Sequence, residues 1–207
     1  MVSEKKIKIV KALSLVVAIG GITVMAGWIF DISVLKNISP NWISMKFDTA
    51  FCFLLSGISL YFIARAQDGE RDLAQVGLCI TSLIIVLLMG ILFFSALLGI
   101  HTGAEDLFIK ETKVAVKTVF PGRPSLPTMV NFILIALAGL LTMLDVKSAR
   151  PKLKIIGLII GVIGALAIIG YIINIPILYY YIDGVNSAIA VHTSVLFIVL
   201  GLGLLCL

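Results

Sequence analysis

Long apolar runs are the feature that most constrains how this chain can fold. A stretch of about 18 or more apolar residues is long enough to cross the hydrocarbon core of a membrane as a helix. The runs are continuous rather than alternating, which excludes a transmembrane β-barrel. The sequence therefore predicts an all-α membrane protein with six transmembrane helices, at approximately residues 7–30, 47–66, 73–100, 129–144, 155–171 and 188–207.

The composition agrees with a multi-pass protein of the cell membrane. The chain is 60% hydrophobic, with a mean hydropathy of +1.17, whereas soluble domains are about half apolar. The net charge of +5 lies in the loops, where charge asymmetry sets topology, so nucleic acid is not an expected partner. Ten Lys and Arg residues fall on the side of the N-terminus and six on the other side. This count predicts that both termini are cytoplasmic.

A pair of spans is predicted to occur three times, in residues 7–66, 73–146 and 154–207 of a single membrane domain. Such repeats define the architecture, here three tandem helical hairpins with pseudo-threefold symmetry. In each first span, a Gly is followed four residues later by a turn residue and eight residues later by Leu. In each second span, a small polar residue precedes a Gly by eight positions. The anchors are Gly27, Asp31 and Leu35, then Gly99, Gly103 and Leu107, then Gly170, Asn174 and Leu178, with the pairs Thr49–Gly57, Asn131–Gly139 and Thr193–Gly201.

Polar and aromatic residues near the outer ends of the spans are candidates for a ligand pocket. Three repeats around an axis along the membrane normal would direct these side chains toward one another. Each residue also has a structural role open to it, since Asp48 or Thr49 can cap a helix and Asn131 can face other helices. The predicted set is Trp28, Asp31, Asp48, Thr49, His101, Asn131, Tyr171, Asn174, His192 and Thr193.

No catalytic motif is recognisable, whether phosphate-binding loop, nucleophile elbow or metalloprotease helix. The cysteines, Cys52, Cys79 and Cys206, lack metal-ligand spacing and are expected to be buried apolar residues. His101 and His192 are the candidates for metal or haem ligands. One lies in or near a loop and the other begins a helix, so a helix-start role is equally open. The sequence thus identifies no metal and no cofactor.

Two outer segments carry further predictions. Residues 104–119 are predicted to form a short amphipathic helix at the membrane interface, with Leu107, Phe108, Val114 and Val116 among charges. Aromatic residues at the span ends predict an interfacial belt. Its members are Trp28, Trp42, Tyr179, Tyr180 and Tyr181. A small-residue stripe in the fifth span predicts close helix packing, through Gly157, Gly161, Gly164 and Ala165.

Two stretches resemble the multi-span N-terminal membrane region of bacterial and archaeal sensor histidine kinases: GWIFDISVL…MKFDTAFCFLLSGISLYF and GYIINIPILYY…IAVHTSVLFIVLGLGLL. In that family the helix start commonly reads Met, two residues, Thr-Ala and an apolar run with Gly. The first unit carries Met45, Thr49, Ala50 and Gly57, although three residues rather than two separate Met45 from Thr49, and the third unit carries Thr193 and Gly201. The middle unit departs from the pattern, with Asn131 and Phe132 in place of Thr-Ala.

The resemblance implies a signal-input domain, a homodimer formed through the parent protein, and PAS and kinase domains in cis. It carries over no ligand and no catalytic residue. The sixth span meets no charged flank before Leu207, which leads us to expect a cytoplasmic output domain after it. The alternative is a small repeat-type transporter or channel, which would need polar groups at mid-membrane. Residues 84–89 and 158–163 offer none. A quinone-reactive enzyme is a third possibility, supported by the two histidines alone.

Overall fold

The computed structural model of the protein describes residues 3–39, 42–111, 116–146 and 149–207. This described part is helical, with one isolated bridge between Ile182 and Asn186 and no strand. The helices are α1 (Glu4–Ile29), α2 (Ser33–Lys36), α3 (Phe47–Gln67), α4 (Arg71–Leu98), α5 (Leu126–Met143), α6 (Ala149–Ile173) and α7 (Val191–Leu205). Two short 3-10 turns lie at Ala104–Asp106 and Pro176–Tyr179.

Among the described helices, α1, α3, α4, α5 and α6 are long and apolar enough to cross a membrane. These five helices confirm the predicted all-α, multi-pass class. Helix α7 is apolar but has 15 residues, so it rises about 22 Å, less than a hydrocarbon core of about 30 Å. The predicted sixth span is therefore shorter as a helix than the sequence indicated.

Consecutive long helices pack as pairs. The most extensive contacts join α1 to α3, α4 to α5 and α6 to α7. Helix α3 also contacts α4, α5 and α7, and it is the most buried of the five long helices. The second helix of the first pair therefore lies at the centre of the bundle.

Polar contacts define one end of the bundle, which we call the terminal end. Lys11 Nζ lies 3.0 Å from Asp68 Oδ2, which places the start of α1 beside the α3–α4 connection. Arg71 pairs with Asp145, and Arg150 Nε donates to Gln67 Oε1 at 3.0 Å. The opposite end, residues 30–39, 42–46, 99–111, 116–125 and 174–190, is called the cap below. Val114 of the predicted amphipathic helix lies outside the described residues.

Helices α1, α4 and α6 end in the same way. A residue with left-handed backbone follows each helix: Asp31 (φ 53°), Gly99 (φ 65°) and Asn174 (φ 56°). The next residue donates its N–H to the carbonyl five positions earlier, as in a Schellman motif. These bonds are Ile32 to Gly27, Ile100 to Ser95 and Ile175 to Gly170, at 2.8, 3.1 and 2.9 Å. Gly99 therefore corresponds to Asp31, and the predicted match of Gly99 with Gly27 is wrong by four residues.

Helices α3, α5 and α7 also begin alike. The third residue of each helix is a buried threonine: Thr49, Thr128 and Thr193. A fully buried phenylalanine follows four residues later in each helix: Phe53, Phe132 and Phe197. Asn131 is the sixth residue of α5, so its predicted match with Thr49 is wrong by three residues.

The three phenylalanine rings meet between α3, α5 and α7. Ring centroids are 4.9 Å apart for Phe53 and Phe132, 4.9 Å for Phe53 and Phe197, and 5.2 Å for Phe132 and Phe197. These separations lie in the range that aromatic pairs favour, roughly 4.5–7 Å. Each ring comes from a different helix pair, so this three-ring contact, which we call the phenylalanine triangle, holds the pairs together.

Glycines allow the first helix of two pairs to approach the second closely. A Cβ on Gly164 would lie 2.6 Å from the carbonyl oxygen of Ser194, and a Cβ on Gly157 would lie 2.8 Å from that of Gly201. The predicted small-residue stripe of α6 is therefore confirmed as a contact surface. In the first pair, a Cβ on Gly21 would lie 2.6 Å from the carbonyl oxygen of Ala50.

Two predictions for the cap are wrong. Residues 104–106 form a single turn, and residues 107–111 and 116–119 are not helical. Glu105 and Glu111 of this segment are buried in ion pairs with Arg123 and Lys46, so they do not form the charged outer face that the prediction assigned to them. Tyr179 is not an interfacial belt residue, because its side chain is 1% exposed and stacks on Tyr171 with centroids 4.3 Å apart.

We predict that Phe132→Ala lowers the free energy of unfolding by about 3–5 kcal/mol, because it leaves a cavity in the phenylalanine triangle. The matched control is Phe94→Ala, since the Phe94 side chain is 63% exposed on the outside of α4. Reversible unfolding in detergent measures both variants. Equal losses in the two variants would contradict the packed triangle.

Candidate functional site

A small polar cavity lies in the cap where α3, α5 and α7 begin. It has room for about one water-sized guest. Its polar lining comes from all three helix starts and from the segment before α5. The lining side chains with polar groups are Ser44, Lys46, Thr49, Arg123, Ser125, Thr128 and Thr193. We call this space the threonine cavity.

The three helix starts that meet there lack side-chain caps. The N-cap residues are Lys46, Ser125 and Ala190, and none of them makes a side-chain cap hydrogen bond. The first turn of a helix leaves backbone N–H groups without intrahelical partners and carries partial positive charge. One of these amides is satisfied elsewhere, because Leu126 N donates to Asn186 Oδ1 at 3.3 Å. Pro127 has no N–H, so the remaining donors are the Thr128 amide of α5 and the first-turn amides of α3 and α7.

One residue of the threonine cavity's lining, Lys46, belongs to a buried ion pair. Lys46 Nζ lies 2.5 Å from Glu111 Oε2, and the two side chains are 5% and 8% exposed. Lys46 Nζ also donates to Thr118 Oγ1 at 3.3 Å, and Glu111 Oε2 accepts from the Gly122 N–H at 2.6 Å. Burial lowers the pKa of Lys46, and the carboxylate of Glu111 partly offsets this effect. The pair anchors the loop around residue 111 to the start of α3.

A second buried pair joins Arg123 to Glu105, with Nη2 and Oε1 2.6 Å apart. Arg123 Nη2 also donates to the Ile100 carbonyl at 2.7 Å, and Ser95 Oγ donates to Glu105 Oε1 at 2.6 Å. Burial opposes ionisation of Glu105, but hydrogen bonds from Ser95 and Arg123 outweigh it and lower its pKa to about 2. This cluster ties the end of α4 to the segment that leads into α5.

A neighbouring cavity, also of about one water's size, lies on the far side of Lys46. Its lining carries the carboxylates of Asp48, Glu105 and Glu111. Asp48 Oδ2 is buried and has no hydrogen-bond partner among the described residues. Lys46 thus separates a carboxylate-lined space from the threonine cavity.

Aromatic residues close the cap over α6. Tyr171 stacks on Tyr179, contacts Trp42 at a centroid distance of 5.3 Å, and donates its hydroxyl to the Ile189 carbonyl at 2.8 Å. Lys117 Nζ donates to the Tyr179 hydroxyl at 2.9 Å and lies 4.6 Å from its ring centroid. This cluster fixes residues 188–190, which run along the threonine cavity into α7.

The structure does not bring the ten predicted site residues into one pocket. Thr49 and Thr193 line the threonine cavity, and Trp28 and Asp48 line the neighbouring one. Tyr171 belongs to the aromatic cluster. Asn131 is fully buried as expected, with both side-chain polar atoms unpartnered within the described residues. Asp31, His101 and Asn174 are exposed at the surface of the cap. Asp31 and Asn174 instead provide the left-handed helix ends, and ligand binding by the set stays a prediction.

The two histidines lie in different environments. His101 is exposed, with Nδ1 3.7 Å from Glu105 Oε2. His192 lines an apolar groove between α1, α2 and α7, and neither ring nitrogen has a hydrogen-bond partner in the described chain. Within the described residues, no three His, Cys, Asp or Glu side chains are grouped so that they could hold a metal ion.

Sequence reasoning missed Thr128 and the four charged residues Lys46, Glu105, Glu111 and Arg123. The signal for Thr128 was present, because a threonine precedes a phenylalanine by four positions in each second helix. No periodic signal marks the ion pairs, since their partners lie in irregular loops. Searches against protein-family models, curated proteins and solved structures found no match.

We predict that acid weakens the fold through Glu105. Its pKa is about 2 in the folded protein and about 4.5 in the unfolded chain. The carboxylate therefore stabilises the fold above pH 4.5, and this contribution, about 3 kcal/mol, is lost as the pH falls toward 2. Measurement of the free energy of unfolding between pH 7 and pH 2.5 gives its slope against pH.

Glu105→Gln should remove this contribution to the pH dependence. It should also lower the free energy of unfolding at pH 7 by about 3–5 kcal/mol, since Arg123 is left buried and unpaired. Glu70→Gln is the control, because Glu70 is half exposed in its pair with Arg65 and such pairs contribute about 0–1 kcal/mol. An unchanged acid slope in Glu105→Gln would contradict this account.

Proposed function

We propose that the protein is a membrane-embedded sensory input domain of the kind that precedes sensor histidine kinases in two-component signal transduction. The observation that carries the proposal is a small polar cavity at the point where three apolar helices begin. The threonine cavity lies at one end of the bundle, and the phenylalanine triangle follows one helical turn further along α3, α5 and α7. A polar site at one end of a tightly packed bundle suits ligand detection.

The proposal includes three repeated hairpins, α1 with α3, α4 with α5, and α6 with α7. Three observations support it. The first helices of the pairs end in the same Schellman motif, the second helices share a buried threonine near their start, and the phenylalanine triangle joins the three pairs. Helix α7 serves as the sixth span together with the extended residues 188–190 before it. Three extended residues add about 10 Å to the helix, which brings the total to about the thickness of a hydrocarbon core.

We place the terminal end in the cytoplasm and the cap outside, in the cell membrane. Basic residues favour the cytoplasmic side of a membrane. Near the terminal end these are Lys5, Lys6, Lys8, Lys11, Arg65, Arg71, Arg150, Lys152 and Lys154. In the cap, Lys46 and Arg123 are buried in ion pairs with Glu111 and Glu105. Their charge is neutralised locally, so they oppose this orientation little.

A ligand in the threonine cavity would act on the spacing of the three helix starts. Helices are stiff, so a change at the cap would reach the terminal end as a shift of α3, α5 and α7. Helix α7 would then pass the shift to PAS and kinase domains in cis, within a homodimer. Such a switch requires that the ligand bind one helix packing more tightly than the other.

A repeat-type transporter is the alternative function. Permeation along the axis would require displacement of Phe53, Phe132 and Phe197, which fill the space between the three helices. A buried polar pair deeper in the bundle is satisfied, since Ser59 Oγ donates to Thr81 Oγ1 at 2.7 Å. Such a bond joins α3 to α4 as interhelical hydrogen bonds in membranes do. The sensory function therefore fits the packing better.

The coding sequence downstream of codon 207 tests the sensory proposal most cheaply. A helical linker followed by PAS, dimerisation and kinase signatures is the expected result. Proteoliposomes provide the second measurement, in which the sensory proposal expects no solute or ion flux. A stop codon at position 208 together with measurable flux would favour the transporter instead.

We predict that Phe197→Leu in the parent kinase changes autophosphorylation in native membranes by up to about tenfold. Leucine keeps an apolar side chain at this position, and a change of about 1.4 kcal/mol in the relative stability of two packings shifts their ratio by a factor of ten. Phe94→Leu on the exposed face of α4 is the control and should leave output unchanged. Equal output in both variants would argue against signalling through the triangle.

A further inference from the structure

We infer that the threonine cavity binds a single small inorganic anion, with chloride as the abundant candidate in the environment of a cell. This inference names the ligand class of the cavity and rests on the proposed function for its biological role. The binding itself is measurable without any signalling output.

The backbone around the threonine cavity offers donors from three directions. Helices α3, α5 and α7 have 21, 18 and 15 residues, and all three begin at the cavity without a side-chain cap. Each helix start carries a partial charge equivalent to about +0.5. Three such ends in one place repel one another unless negative charge or solvent lies between them.

Two buried hydroxyls provide a second, independent indication of a ligand. Thr49 and Thr193 line the cavity and are 3% and 1% exposed. Neither hydroxyl hydrogen-bonds to a side chain or carbonyl within the described residues, whereas Thr128 Oγ1 is 2.8 Å from Ser125 Oγ. Buried polar groups are nearly always hydrogen-bonded in native proteins, so these two hydroxyls call for a partner in the cavity.

The charged residues of the lining fix the sign of that partner. Lys46 and Arg123 line the threonine cavity, and no Asp or Glu side chain does. Glu105 and Glu111, which pair with the two cations, lie in the lining of the neighbouring cavity instead. The lining therefore combines threonine and serine hydroxyls with two cationic residues, each paired with a carboxylate that lies outside the lining. A cation would find few acceptors there, but an anion would find donors on several sides.

Size then limits which anion fits. Space for about one water-sized guest excludes carboxylate metabolites, nucleotides and phosphate esters. A halide ion is monoatomic and needs only modest movement of rotatable hydroxyls. The three phenylalanine rings pack together one helical turn deeper, so we expect the anion to enter and leave through the cap.

The experiment measures the thermal unfolding of the purified protein in lipid nanodiscs. Sodium chloride is titrated against sodium gluconate at constant ionic strength, so that general screening does not change. We expect a saturable rise in Tm with chloride. Thr49→Val and Thr193→Val keep the side-chain shape but lose the hydroxyl, and each should weaken chloride binding about tenfold.

Two controls separate lost binding from lost folding. Thr49→Ser restores a hydroxyl and should restore the chloride response. Thr142→Val removes a hydroxyl near the other end of α5, where it bonds to the Ala138 carbonyl at 2.9 Å, and should respond as the original protein does. Anomalous diffraction from crystals grown in bromide, which replaces chloride, gives a readout that needs no variant.

A bromide peak within the threonine cavity is the expected result. An ordered water only at this position, together with the same Tm in chloride and gluconate, would overturn the inference. That outcome would leave the sensory proposal standing, because the proposal is tested by the downstream coding sequence and by flux. Chloride binding accompanied by flux would instead support the anion site and contradict the sensory function.

Discussion

Contact among Phe53, Phe132 and Phe197 is the interaction on which the arrangement of the bundle depends. The three rings come from three different helix pairs, and their centroids are 4.9–5.2 Å apart. Between membrane helices, lipid offers apolar contacts as good as those of leucine, so association relies on close packing and hydrogen bonds. Because the rings meet, the starts of α3, α5 and α7 are brought together, and the threonine cavity follows from that meeting.

The cap also neutralises the positive charge that gathers where the three helices begin. Three uncapped helix starts and two cations gather where the chain leaves the membrane, and charges in such a place are costly unless they are paired. Glu105 and Glu111 supply the pairing from loops rather than from helices. Glu105 and Glu111 line the neighbouring cavity, so the two cations are neutralised while the lining of the threonine cavity contains no carboxylate.

The hydrophobic pattern was sufficient to predict the long helices, because lipid requires every backbone group in a span to be bonded internally. Comparison of residue identities gave the wrong match in the middle pair. By identity Gly99 matches Gly27, but the left-handed position after the helix is occupied by Asp31, Gly99 and Asn174. Glycine adopts this conformation because it has no Cβ, and Asp and Asn adopt it because their short polar side chains can hydrogen-bond locally. The polarity of Asn131 suggests it as the counterpart of Thr49 and Thr193, but Thr128 has the four-residue spacing to phenylalanine that the other two helices share. The ion pairs of the cap had no periodic signature, and only the folded loops reveal them.

Solid-state NMR of the protein in lipid bilayers tests the central claim most directly. Ring-labelled phenylalanine, assigned with single Phe→Leu variants, reports which rings lie within about 5–6 Å of one another, the range of favourable aromatic contact. The account predicts ring-to-ring cross-peaks for all three pairs among Phe53, Phe132 and Phe197. A spectrum in which any one of these rings contacts neither of the other two would contradict it.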